Sequence, residues 1–395
     1  MTLSRARSRV AGLAVTLSVT VSLIGLTGCV ASPAAPEPVV ARTAAAPTST
    51  PSSAAPSSSS TPTSGSTPTR TTRAKAAPGD AVNRVLAISI DGLNPQAITD
   101  LGPKGAPAFH RLMRGGAYTL NARTEYEMTE TLPNHTGMLT SRRITGSKRG
   151  HGIDFNSDTG TTVHQQAGHY VASVFDVVHD RGGPTALFAA KTKFEIYERT
   201  WNANGRADKI GYDNGRTKID RVVLDTDNAR LVREANADLT SSARAFTFLH
   251  ISLPDLAGHE HGFMGQEYLA AVEDTDRLLG TVLDTVAGKP SLKAHTLVLL
   301  TADHGGGGAT NHANPLKRQN YQVPFMAWGP GVRKGVNLYA INSAFKTPRT
   351  GRPSYAGKQP IRNGDIANLA VDALDLPVVP GSELNRSRKL KIFGN

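Results

Sequence analysis

Five short apolar runs, at 84–90, 185–190, 245–253, 295–301 and 323–328, constrain what this chain can fold into more than any other feature. The first is partly β-branched and closes on Asp91-Gly92, the signature of a buried strand ending in a turn. Between the runs lie stretches with helical spacing at 106–115, 135–140, 168–180, 226–240, 265–287 and 363–374. Strands buried on both faces need covering layers, and helices alternating with them supply those layers. The expected fold is therefore α/β, a mainly parallel central sheet with helices on both faces, forming one domain over 80–395.

Three of the runs deliver an aspartate. Asp91 follows the first, Asp255 the third and Asp303 the fourth. In open α/β sheets, ligands sit outside the carboxyl ends of the strands, so these carboxylates are expected to converge on one crevice.

Histidines accompany two of them. Asp255 and His259, in Leu253-Pro254-Asp255-Leu256-Ala257-Gly258-His259, are spaced to share one side of a helical turn and grip one cation. A helix cap followed by a surface histidine is the alternative, and Glu260 and His261 are rivals. Asp303-His304 precedes four glycines, Gly305 to Gly308, so two ligands can diverge from one kink while the backbone approaches a metal or phosphate closely. A plain flexible loop is the competing reading. His312 is the next imidazole downstream. Thr131, in Thr131-Leu132-Pro133-Asn134-His135, lies between the first aspartate and both Asp/His pairs, an order that suggests a metal-activated hydroxyl.

Together these residues resemble the alkaline phosphatase superfamily, specifically its nucleotide pyrophosphatase/phosphodiesterase branch, over 85 to about 380. The resemblance implies that Asp91, Asp303 and His304 hold one zinc, and that Asp255, His259 and His312 hold a second; another divalent metal could replace either. Thr131 matches the family's Thr-x-Pro-Asn nucleophile and would bridge the two ions. Asn156, in His151-Gly152-Ile153-Asp154-Phe155-Asn156, is similar to the asparagine of His-Gly-Ile-x-x-Asn, which hydrogen-bonds a phosphoryl oxygen. The stretch 361–377 resembles the C-terminal helix of the fold. The implied reaction is hydrolysis of a phosphate ester by two in-line displacements through a phosphothreonine. Two Zn²⁺, three carboxylates and three neutral imidazoles leave about one positive charge, which favours a deprotonated threonine and an anionic substrate.

Some features depart from the family. The segment 141–150 is basic, with Arg142, Arg143, Lys148 and Arg149, and is longer than usual, which puts the reach of Asn156 in doubt. Those cations form either a solvated loop or a clamp for substrate phosphate. Sulfatases share the fold but resemble Cys/Ser-x-Pro-x-Arg, whereas His135 stands four residues after Thr131. The metal ligands do not separate a phosphodiesterase from a phosphomonoesterase or phosphonate hydrolase. That choice lies in the leaving-group pocket, expected to draw on 191–201. A metal-holding envelope lipoprotein without turnover is a third reading.

The N-terminal part belongs to a different class. Arg5, Arg7 and Arg9 precede an apolar stretch at 10–26, so residues 1–28 are expected to be an export signal, with an uncleaved membrane anchor as the alternative. Leu26-Thr27-Gly28-Cys29 resembles a bacterial lipobox, which implies lipidation at Cys29 and a membrane-anchored protein on the extracytoplasmic face. Cys29 is the only cysteine, which excludes an intrachain disulfide and cysteine-ligated zinc. Residues 29–79, rich in Ala, Pro, Ser and Thr, are expected to form a disordered tether. Of the net charge of +12, +5 falls in the first 80 residues and +7 in the rest. That surplus suits phosphate esters or an anionic envelope surface and is too weak to imply nucleic-acid binding.

Overall fold

The structure, a computed structural model, describes residues 82–211 and 214–394, which fall within one compact unit, Thr71–Asn395. The signal, Cys29 and the tether at 29–79 lie outside the described residues. Among the described residues, no helix is long and apolar enough to cross a membrane.

Strand β1 (Arg84–Ile90) leads into α1 (Pro95–Gly105), α2 (Pro107–Gly115) and β2 (Ala117–Arg123); α3 (Thr131–Thr140), α4 (Val163–Ala167), α5 (Val174–His179) and β3 (Thr185–Ala189) follow. Next come α6 (Glu195–Glu198), β4 (Arg221–Leu224), α7 (Asn228–Ser241), β5 (Phe246–Ile251), α8 (Leu253–His261), α9 (Gln266–Gly288), α10 (Pro290–Lys293) and β6 (Thr296–Thr301). The chain closes with α11 (Arg318–Tyr321), β7 (Gln322–Trp328), β8 (Val336–Asn337), α12 (Leu338–Ile341) and α13 (Ile366–Ala373).

The strands form one eight-stranded sheet in the order β4-β3-β5-β1-β6-β7-β2-β8. From β4 to β6 every pairing is parallel, and β7 runs antiparallel to both of its neighbours. Strands β3, β5 and β6 are buried at every position, as double coverage requires. On one face α9 packs against both α2 and α7, and α3, α5 and α13 form a second, mutually packed group. The expected α/β class and the mainly parallel sheet with helices on both faces are therefore present.

Two helix boundaries differ from the sequence reading. Helix α3 begins at Thr131 rather than 135, because Pro133 falls in the first turn, where no intrahelical N–H bond is lost. The helix expected over 168–180 starts only at Val174. Gly168 is in the left-handed conformation and ends α4, and Ser173 with Asp176 forms a capping box that starts α5 afresh.

Candidate active site

Four adjacent parallel strands deliver polar residues at their carboxyl ends. Asp91 follows β1, Asp255 lies in the first turn of α8 after β5, Asp303 and His304 follow β6, and Lys191 follows β3. Crossovers return the chain on the sheet faces, so these ends share one side of the sheet. Gly92 permits the close approach of two of them: its φ is +70°, and a Cβ there would lie 2.9 Å from Asp255 Cα.

The six expected ligands fall into two groups, Asp91 with Asp303 and His304, and Asp255 with His259 and His312. Their hydrogen bonds fit cations, because each residue is held from behind and keeps one lone pair unspent. His250 Nδ1 accepts from the Ala190 N–H at 3.1 Å, so its Nε2–H donates to Asp91 Oδ2 at 2.9 Å. Lys191 Nζ reaches the same oxygen at 2.7 Å and Asp255 Oδ2 at 2.6 Å. Asp303 Oδ1 accepts from the backbone N–H of Gly92 and of His304. The remaining oxygens, Asp91 Oδ1, Asp255 Oδ1 and Asp303 Oδ2, are buried without a hydrogen bond.

The imidazoles follow the same logic. His304, His259 and His312 each donate Nδ1–H to a backbone carbonyl, of Gly305, Thr310 and Thr129 respectively, which leaves Nε2 as a bare lone pair. His304 Nε2 points at Asp303 Oδ2 at 3.2 Å and Asp91 Oδ1 at 3.4 Å. His259 and His312 Nε2 stand 3.4 and 3.5 Å from Asp255 Oδ1. Lone pairs converging on orphaned carboxylate oxygens repel unless a cation lies among them, so the donor set fits two metal ions.

Burial, reinforced by the charges of Asp91 and Asp255, pushes the Asp303 carboxyl well above the usual carboxylate range. Burial also acts to raise Asp91, but the Lys191 ammonium and His250 override it and hold that carboxyl well below the range. His312 is lowered to about 4 by burial and the neighbouring His304, so its ring is neutral, as a metal ligand must be.

Thr131 is the first residue of α3, 1% exposed. Thr129 and His312 hydrogen-bond reciprocally, which ties the segment before Thr131 to the second candidate ligand group. His135, one turn along α3, donates Nδ1–H to the Thr131 carbonyl and accepts from Ser89 Oγ at Nε2, docking the helix start on β1. Asn363 Nδ2 meets the carbonyls of Ala302 and Asp303 and the side chain of Asn134.

The 141–150 loop brings Asn156 back to the start of α3. His151 N–H bonds the Arg143 carbonyl and Gly152 N–H the Ile144 carbonyl, both at 2.9 Å, so the extra residues form a closed excursion and the chain returns where it left. Asn156 Oδ1 then accepts from Leu132 N–H at 3.0 Å, beside Thr131. Two of the basic residues are committed elsewhere. Arg142 is buried and donates to the Pro380 carbonyl, and Arg143 pairs with Glu127 at 2.9 Å over the Tyr355 ring. Among the nearby rivals to His259, Glu260 and His261 pair with each other at 3.7 Å.

Sequence reasoning missed His250, Glu130 and the two lysines as parts of the site. Lys191 and Lys193 do lie in the expected pocket segment, and Lys193 Nζ reaches Asn156 Oδ1 at 3.1 Å. Their spacing of two after an apolar run was the one signal available; His250, inside a strand, offered none.

Residues 85–346, well over half of the chain, match the family model described as type I phosphodiesterase / nucleotide pyrophosphatase. The chain belongs to that family. The matched stretch contains both ligand groups, Thr131 and Asn156. Of the curated relatives, ectonucleotide pyrophosphatase/phosphodiesterase family member 1 of Mus musculus is 26% identical over 227 residues, covering 56% of this chain and 24% of that protein. GPI ethanolamine phosphate transferase 1 of Yarrowia lipolytica is 24% identical over 221 residues, 53% of this chain and 22% of that protein. The chain thus spans about a quarter of the length of the curated relatives it matches. In structure it is similar to murine ectonucleotide pyrophosphatase/phosphodiesterase 5, solved as an inactive variant in complex with AMP, with a TM-score of 0.54 and 14% identity over 78% of this chain and 99% of the other. A 2-O GAG sulfatase gives a TM-score of 0.51 and 13% identity over 79% and 76% of the two chains. Both share the fold of this family member.

Proposed function

We propose that this chain is a metal-dependent phosphoric ester hydrolase of the phosphodiesterase/nucleotide pyrophosphatase type, acting through a phosphothreonine at Thr131. The observation that carries the reading is the pair of ligand groups, each with unspent lone pairs facing one another, joined to the start of α3 by the Thr129–His312 hydrogen bonds and by His135 Nδ1, 3.6 Å from Asp303 Oδ2. Zinc or another divalent ion held there would supply Lewis acidity for the threonine hydroxyl and the leaving oxygen. The protein's own residues divide the remaining work. Lys191 and His250 aim Asp91 and Asp255, Thr131 provides the attacking oxygen from a buried helix start, and Asn156 offers an amide N–H to a non-bridging oxygen.

A monoesterase on the same scaffold remains the second reading, favoured by one observation. Lys191 adds a positive charge to the six ligands, an excess of cationic charge that suits a phosphoryl dianion. The test is the ratio of catalytic efficiencies of the zinc-loaded protein on bis-p-nitrophenyl phosphate and p-nitrophenyl phosphate, with Thr131→Ala as the blank. A ratio well above one supports the diesterase and a ratio well below one the monoesterase. Unchanged turnover in Thr131→Ala would remove the nucleophile assignment.

The same proposal places the enzyme outside the cytoplasm, exported by residues 1–28 and held to the membrane by a lipid on Cys29 through the 29–79 tether. The support is the lipobox-like Leu26-Thr27-Gly28-Cys29. Cys29→Ala should release the protein from the membrane fraction; continued tight association would point to a spanning helix instead.

A further inference from the structure

Asn156 works at a phosphoryl oxygen only if its amide faces the right way, because its nitrogen end attracts an anion and its oxygen end repels one. Three hydrogen bonds decide the matter. The oxygen end accepts from Leu132 N–H at 3.0 Å and from Lys193 Nζ at 3.1 Å. The nitrogen end donates to Glu130 Oε2 at 2.7 Å. A carboxylate accepts and never donates when ionised, so the Glu130 contact is incompatible with the flipped amide.

Glu130 is also the residue immediately before the nucleophile. It occupies the N-cap position of α3, where an acidic side chain would ordinarily cap the helix, yet it makes no side-chain cap bond. Its backbone carbonyl accepts from Asn134 N and Asn134 Nδ2, which fixes the start of its side chain, and the carboxylate is spent on Asn156 across 26 residues of sequence.

We propose that Glu130 is a positioning residue for phosphoryl recognition: it locks the Asn156 amide so that the second Nδ2 hydrogen is presented to the substrate at the start of α3. The proposal rests on the hydrolase reading above and extends it to a residue that makes no contact with the reacting atoms. It also accounts for a carboxylate beside an anion site, since Lys193 at the opposite end of the same amide offsets its charge.

The experiment is a double-mutant cycle on the zinc-loaded full chain with Glu130→Ala, Asn156→Ala and the double variant. It reads inorganic phosphate affinity by calorimetry, kcat/KM on bis-p-nitrophenyl phosphate, and zinc content. Glu130→Ala is expected to weaken phosphate binding and lower kcat/KM by about tenfold at unchanged zinc content, and to cost less than about twofold once Asn156 is already alanine. An undiminished loss in the Asn156→Ala background, no loss in the single variant, or loss of zinc would each overturn the proposal. Glu130→Gln supplies a second readout, because its carbonyl oxygen accepts the same bond without the charge. Phosphate affinity close to the parent's supports positioning, whereas a gain of about tenfold would show that the carboxylate acts by repulsion. A parent protein that neither binds phosphate nor hydrolyses either ester removes the hydrolase reading itself; an active parent with additive losses removes only the role of Glu130.

Discussion

His312 Nε2 stands 3.1 Å from His259 Nε2, and the Nδ1 proton of each ring is already given to a backbone carbonyl. Two bare lone pairs at that separation repel, so the arrangement stores a demand for a cation. Zinc supplied at about 100 times its Kd is expected to stabilise the protein by about 2.7 kcal/mol, read as a rise in Tm that a chelator reverses. His312→Ala should bind about one ion where the parent binds two, measured by elemental analysis of the dialysed protein. Equal metal content in parent and variant would remove His312 from the ligand set.

His250 touches no orphaned lone pair yet holds Asp91 from behind through a 2.9 Å hydrogen bond, and its ring is fully buried. His250→Phe preserves the bulk and deletes the bond. Zinc affinity should fall by about 10- to 100-fold, read by competition with a chromophoric chelator, with the fold retained by circular dichroism.

Gly92 combines a φ of +70° with an approach to Asp255 that leaves no room for a Cβ. Gly92→Ala adds a strained left-handed residue, costing on the order of 1–3 kcal/mol, and pushes the two ligand groups apart. Both a lower denaturant midpoint and reduced zinc binding are expected. Normal zinc content in a folded variant would contradict the close-approach role.

Burial lowers the His151 imidazole to about 3, and its Nδ1 accepts from Ile153 N–H, so the folded state holds the ring neutral. Above about pH 6.5 the ring is neutral in both states and contributes no pH dependence. Between about 6.5 and 3 the unfolded chain takes up a proton that the folded chain refuses, so stability falls as pH falls, by up to about 1.4 kcal/mol per unit. His151→Gln should lose about 1.6 kcal/mol less than the parent between pH 6.5 and 5, measured by urea denaturation at both values. Identical losses would mean that the ring is solvated in the native state.

The sequence by itself determined the parallel core of the sheet and singled out the six candidate ligands and Thr131, because those features are local. Strands β1, β3, β5, β6 and β7 are written as apolar runs, Asp91, Asp255, Asp303 and His304 sit just past the end of one, and Thr131-Leu132-Pro133-Asn134 is contiguous, whereas His312 stands well away from any run. Strands β2, β4 and β8 were not legible: β4 and β8 are short and incompletely buried, and β2 interleaves polar with apolar residues, so none carries an uninterrupted apolar signal. Tertiary structure alone decided the supporting contacts. Lys191 reaches Asp255 across 64 positions, His250 reaches Asp91 across 159 and Asn363 reaches Asp303 across 60, distances along the chain that leave no periodicity to read. The return of Asn156 to Leu132 likewise depended on backbone hydrogen bonds that close the 141–150 excursion, and a backbone bond carries no side-chain identity for the sequence to display.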